Sequence, residues 1–212
     1  MTVAPAAGPY PVRFDVDYPE SLDRLKTLLR LIWIIPIAIV YGLIAGGSST
    51  VGWDDENVRS SGAAAGGLVV LPTLLMLLFR QKYPRWWFDF NRELARFGAR
   101  VGAYALLLRD EYPSTDEEQA VHLEIDYPDA TELNRFLPLV KWFLAIPHYV
   151  VLVFLIIAAF FAVVVAWFAI LFTGRYPRGL FDFVVGVQRW CERVAGYMAL
   201  LVTDRYPPFS LQ

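Results

Sequence analysis

Only one cysteine, Cys191, and two histidines, His122 and His148, occur in the 212 residues. A single thiol excludes an intrachain disulfide and any multi-cysteine metal site. A catalytic zinc usually takes three ligands rich in His or Cys, so no metal site is expected. Phosphate-loop, dinucleotide, nucleophile-elbow and H-E-x-x-H patterns are all missing, and no catalytic residue or cofactor is assigned. Charge is scarce too: 19% of residues are charged, with a net charge of −2, against about 25% charged in a soluble domain. That balance leaves no footprint for nucleic acid. The first apolar run begins near Leu31, behind mixed and partly acidic residues. A cleaved signal would start with a short basic region, so none is expected.

What is abundant is apolar: 57% of the chain, against about 45–50% in soluble domains. It is concentrated in runs. Leu31 to Ala45 and Gly62 to Phe79 carry no charge, and a polar loop, Gly47 to Ser61, joins them. Each run is near the lower limit of about 17 residues for a spanning helix. Trp142 to Phe172 is also free of formal charge. As one straight helix it would measure about 46 Å at 1.5 Å per residue, longer than the bilayer core of about 30 Å.

The chain repeats itself. DVDYP (Asp15 to Pro19) recurs as EIDYP (Glu124 to Pro128). Leu22, Arg24 and Pro36 recur as Leu133, Arg135 and Pro147. KYPRWWFDF (Lys82 to Phe90) recurs as RYPRGLFDF (Arg175 to Phe183), and DEYP (Asp110 to Pro113) as DRYP (Asp204 to Pro207). An ordered series of this kind indicates duplication. The offset drops from 111 to 93 between the two apolar spans, which removes about the length of the polar loop. This predicts a hairpin inside Trp142 to Phe172, turning near Ile157 to Ala159. Basic residues collect on the cytoplasmic side. Four spans with both termini inside leave every one of the 19 Lys and Arg cytoplasmic except Arg59.

The paired D-x-D-Y-P-type and Y-P-R-x-x-F-D-F segments resemble the bacterial domain-of-unknown-function family numbered 4389, from about Tyr10 to Phe209. The resemblance implies a multi-pass bacterial membrane protein and carries no catalytic residues to transfer.

The expected fold is therefore all-α, with four transmembrane helices as two tandem hairpin repeats. The first repeat, 1–113, holds a strand at 12–17, spans at about 28–46 and 62–79, and an amphipathic helix at about 86–109. The second, 114–212, holds a strand at 121–126, spans at about 138–156 and 159–173, and a helix at about 179–202. The strands alternate apolar and polar residues, the pattern of a half-buried strand. Being equivalent and on one side, they are candidates to pair with each other. The amphipathic helices carry apolar stripes at 3–4 spacing and read as interfacial. Arg92, Arg96, Arg100, Arg189 and Arg193 are candidate contacts for anionic lipid. Seven of the eleven tyrosines precede proline and read as anchored corner turns. The repeat signature is Tyr83, Pro84, Arg85 and Asp89, with Tyr176, Pro177, Arg178 and Asp182. Asp89 and Asp182 suit a helix N-terminus and can pair with the arginine four residues before. Lys141 and Arg30 are expected to snorkel. Pro36 and Pro147 are expected to kink their helices. His148, polar at membrane depth, is a weak cofactor-binding candidate.

The expected function is a non-enzymatic integral protein of the bacterial inner membrane, with cytoplasmic termini, scaffolding or assisting a larger membrane complex. Its partners are the lipid bilayer and other membrane proteins or itself, not nucleic acid. A small oligomeric channel or transporter is the first alternative. An interfacial lipid-modifying enzyme using Asp89 and Asp182 is the second.

Overall fold

A computed structural model describes residues 9–45, 70–115 and 117–212. The polar loop at 47–61 and the first half of the second apolar run lie outside the described residues. The chain is mostly helical with one small sheet. Its elements are β1 (Val12–Val16), α1 (Arg24–Ala45), α2 (Val70–Arg80, ending in a π-helical turn), α3 (Arg85–Ala105), β2 (Val121–Ile125), α4 (Leu137–Leu144), α5 (Ile146–Thr173) and α6 (Arg178–Met198).

The two strands find each other across more than 100 residues. They pair antiparallel, with Phe14 opposite Leu123 at the centre and Val12 opposite Ile125 at one end. Period-two alternation then puts Val12, Phe14, Val16, Val121, Leu123 and Ile125 on one buried face. A lone two-stranded ribbon is marginal in water, so that face must be covered. Helix α6 covers β1 and α3 covers β2. The fit is close: a Cβ on Gly196 of α6 would lie 2.5 Å from Val12 Cγ2.

Both covering helices are amphipathic and begin directly after a proline, Pro84 and Pro177, in extended conformation. Their ends correspond at the offset of 93 seen in the sequence. Outside them lies a third layer. Helix α1 packs on α3, α5 packs on α6, and α1 and α5 touch. The far side of this layer is apolar and exposed, as at Ile32, Trp33 and Ile39 of α1 and Phe154, Phe161 and Phe172 of α5.

The hairpin expected within Trp142 to Phe172 is not there. A short α4 ends at Leu144, Ala145 forms the joint, and α5 runs unbroken through Ile157–Ala159. No Gly, Pro or Asn lies near Ile157 to Ala159 with which to turn. The run also gains from staying helical, because Ala159, Ala162 and Ala166, small residues, with Ile170 make a buried stripe that packs on α6. Helix α5 stops at Gly174, whose φ of 72° is a left-handed cap and whose N–H donates to Ile170 O. The four-span arrangement fails with the hairpin. Among the described residues one helix, Ile146–Thr173, is long and apolar enough to cross a membrane, or two if the bent α1 counts as one span. Prolines act differently at equivalent places. Helix α1 bends by 54° between Arg24–Arg30 and Ile32–Gly42, and Pro36 removes the bond its N–H would make to Ile32. Pro147 instead sits in the first turn of α5, where a missing N–H costs nothing.

Ala158, exposed at the middle of α5, separates hairpin from helix. Ala158→Pro should destabilise the protein by about 3 kcal/mol, the cost of proline inside a helix, read by thermal unfolding in detergent. A neutral effect would restore the turn.

Candidate functional sites in the core

Two buried cations occupy the joints between helices and C-terminal tails. Arg30, on α1, keeps only 3% of its side chain exposed and pairs with Asp110 beyond the end of α3. It also donates to Tyr104 O at 3.1 Å, and its guanidinium lies 4.5 Å from the Tyr104 ring centre. Lys141, on α4, has no exposed side-chain surface and sits 2.8 Å from Asp204. It donates to Thr203 O at 2.7 Å and lies 5.0 Å from the Tyr197 ring centre.

The second role of each carboxylate also matches. Asp110 accepts the Asp23 N–H at 2.6 Å, and Asp204 accepts the Asn134 N–H at 2.7 Å. Asp23 and Asn134 in turn accept the N–H two residues on, Leu25 at 2.8 Å and Phe136 at 3.0 Å. Each carboxylate therefore ties one buried cation to one chain entry. Before each aspartate the backbone passes through a left-handed residue, Leu107 (φ 64°) or Leu201 (φ 56°). The expectation that Arg30 and Lys141 snorkel to water is overturned. A cation that finds a buried carboxylate and a carbonyl has its desolvation offset locally. Sequence reasoning missed Asp110 and Asp204 as partners, although both stand in the paired D-x-Y-P segments.

The Tyr-Pro corners are tied crosswise. The Tyr18 hydroxyl donates to Tyr176 O at 2.5 Å, and the Tyr127 hydroxyl to Tyr83 O at 2.6 Å. Arg178 stacks 4.8 Å from the Tyr18 ring centre and Arg85 4.8 Å from that of Tyr127. The signature tyrosines Tyr83 and Tyr176 are themselves buried, and burial pushes the Tyr83 phenol up to about 12. Pro84 and Pro177 start their helices. Asp89 lies 3.8 Å from Arg85 and 3.3 Å from Arg92, while Asp182 is exposed on α6.

The arginines read as a lipid-facing row are turned elsewhere. Arg96 donates to Leu123 O at 3.0 Å and Arg189 to Phe14 O at 2.7 Å, each clamping the central residue of a strand. Arg189 also pairs with Asp15, Arg100 donates to Ser114 O, and Arg193 to Ser210 O. Arg92 pairs with Asp89 and Glu93. The polar faces of α3 and α6 look toward the sheet and the tails, because those backbones hold carbonyls that the guanidiniums satisfy.

His148 is fully buried. Its Nδ1 accepts the Trp190 indole N–H at 3.0 Å, and Phe209 stacks on it with ring centres 4.1 Å apart. The acceptor role of Nδ1 puts the proton of a neutral ring on Nε2. The ring is thus a wedge in an aromatic stack rather than a ligand held toward open space. At the matching place in the first half, Ile37 packs on Phe97. Among the described residues no group of three His, Cys, Asp or Glu is placed to hold a metal.

Residues 138–210 match the family model described as domain of unknown function DUF4389, the family that the paired motifs resemble. The matched stretch runs from α4 through α5 and α6 into the tail, and so contains Lys141, His148 and Asp204. No curated protein matches the chain, and no solved structure does.

Removing Lys141 strands Asp204. Lys141→Met should cost about 3 kcal/mol, the lower end for breaking a buried pair, because Asp204 keeps 26% of its side chain exposed. Adding Asp204→Asn should recover part of the loss in a thermal-unfolding cycle, since the amide oxygen still accepts from Asn134. Additive losses would show that the two residues do not interact. His148→Ile should cost about 1–3 kcal/mol, because the Trp190 N–H is left buried without an acceptor. His148→Gln should cost less in the same assay.

Proposed function

We propose that this chain is a non-enzymatic integral membrane scaffold of the bacterial plasma membrane, whose α1 and α5 layer lies in the plane of one leaflet while its sheet layer faces the cytoplasm. The observation that carries the reading is how α5 is held. It packs against α6, from His148 on Trp190 to the Ala159, Ala162 and Ala166 stripe that shares a core with Val184 and Val187. The other side of α6 carries β1 and the Arg189–Asp15 pair. A helix crossing the bilayer in this packing would bring α6 and the charged sheet to bilayer depth, where each charge costs several kcal/mol. Laid flat, α5 keeps its exposed phenylalanines in hydrocarbon and the sheet in water.

Two tandem repeats of strand, apolar helix and amphipathic helix account for the pairing of β1 with β2, for the equal bounds of α3 and α6, and for the twin cation–carboxylate posts. The terminal segments share one side, since the Tyr10 hydroxyl donates to Arg205 O. A cytoplasmic place for that side agrees with the basic residues gathered there. The scaffold role is supported by how the core polar groups are used: the buried cations and His148 each tie two elements together. The outer sheet face, with Arg13 bridging Glu124 and Asp126, is a mixed-charge surface suited to a protein partner.

Depth-dependent quenching tests the orientation. A fluorophore on a cysteine at Val150, Ile157 or Phe168, all exposed on α5, is read in vesicles with spin labels at graded acyl depths, in a Cys191→Ala background. Equal depths at the three positions are expected. A profile deepest at 157 would mean that α5 crosses, and no quenching anywhere would remove the membrane reading.

A further inference from the structure

A slot opens in the membrane-facing layer. Helices α1 and α5 touch, yet between them and the α3–α6 layer lies a cavity of about 730 Å³, within the range of about 300–1,000 Å³ typical of small-molecule sites. Its walls on α5 are apolar, with Ile156, Phe160, Val163 and Trp167. Its floor is not. Gln188 and Glu192, one turn apart on α6, both line it. Gln188 is 8% exposed; its Nε2 donates to Ala99 O at 3.0 Å, and its Oε1 is buried with no partner. Glu192 is half-buried, and no hydrogen bond or ion pair of its carboxyl occurs among the described residues.

We propose that this slot binds a single-chain amphiphile entering from the leaflet, its alkyl chain along α5 and its head, a hydrogen-bond donor without negative charge, on Gln188 Oε1 and the Glu192 carboxyl. The floor determines the class of head. With Nε2 committed to Ala99, Gln188 offers the ligand an acceptor only. An ionised Glu192 adds two acceptor oxygens and a negative charge. A hydroxyl or an ammonium satisfies both, whereas a carboxylate or phosphate head would bring a second anion onto an acceptor floor. A buried acceptor without a donor costs about 1–3 kcal/mol, so an occupant that donates recovers what the empty slot forfeits.

The surroundings leave Glu192 without a counter-charge. From α1 come Thr27, Arg30 and the Tyr41 ring, and Arg30 is taken by Asp110. From α3 come the small residues Gly98, Gly102 and Ala105. From α6 comes the neutral neighbour Cys191, whose thiol burial pushes up to about 11. Enclosure alone pushes the Glu192 carboxyl up to about 7. Its charge is therefore present above that value and lost as pH falls through it, and discrimination against anionic heads should follow the same course. The inference rests on the membrane-facing reading of α1 and α5, but its test does not need a bilayer.

The whole protein in maltoside micelles is irradiated with three diazirine-bearing long-chain probes, an alcohol, an amine and a carboxylate, at pH 8.5. Adducts are mapped by mass spectrometry. Alcohol and amine adducts should concentrate on the slot-lining residues of α5 and α6. The carboxylate probe should label about tenfold less, the factor set by roughly 1.4 kcal/mol of repulsion. In Glu192→Gln the carboxylate probe should rise to the level of the alcohol. Equal labelling by all three probes in the unmodified protein, or adducts spread over the outer faces of α1 and α5, would overturn the proposal. If the variant does not elute as a single species, the comparison of the three probes on the unmodified protein decides alone. A failure of probe selectivity leaves the quenching profile intact, and a crossing profile for α5 leaves the selectivity intact, so the two readings fail separately.

Discussion

The pairing of β1 with β2 is the constraint on which the molecule depends. These strands lie at the starts of the two halves of the chain, yet each supplies the other's only ladder partner among the described residues. Closing so long a loop is entropically slow and costly. The pairing persists because its inner face meets two helices at once and because Arg96 and Arg189 each clamp a central strand carbonyl. Once the ribbon forms, α3 and α6 are fixed side by side. The outer layer then has only one surface on which to lie.

Polar chemistry in this core serves assembly. A buried cation without a partner would cost far more than a surface charge, so Arg30 and Lys141 each hold a carboxylate from the tail that follows α3 or α6. Those carboxylates also hold the N–H groups at Asp23 and Asn134, which begin the turns leading into α1 and α4. One ionic contact thereby joins three segments. His148 does related work for the aromatic stack of Trp190 and Phe209, where an isoleucine suffices at the matching place. The differences between the halves, His for Ile and Lys for Arg, change the side chain and keep the joint.

The absence of a hairpin in α5 alters how the apolar surface of the protein is arranged. Two short spans would have placed the charged layer on one side of a bilayer and turned the chain back. A continuous helix lying on α6 presents one exposed apolar flank along its length. The slot beside it follows from small residues: Gly98, Gly102 and Ala105 on α3 and Ala159 on α5 leave room that larger side chains would fill. At its floor the Gln188 Oε1 and the Glu192 carboxyl are the polar atoms left without a partner among the described residues.

Much was legible in the chain itself. Apolar runs without charge, period-two strands, stripes at 3–4 spacing and Y-P-R segments at a constant offset are local properties, and local chemistry dictates them. They determined the strands to within a residue, the two amphipathic helices, and the corners at Tyr83 and Tyr176. What the tertiary structure alone decided was direction and partnership. Arg96 and Arg189 reach strand carbonyls, and Arg100 and Arg193 carbonyls of the following tails, because those carbonyls come from segments outside the helices. Arg30 and Lys141 find Asp110 and Asp204 because the tails fold back over the helices. The offset of 93 was visible, but the helical continuity of Ile146 to Thr173 was not, since an uncharged run with no breaker after Pro147 satisfies a hairpin and a long helix equally. Packing resolved it: the alanine stripe of α5 is buried in the same core as Val184 and Val187 of α6.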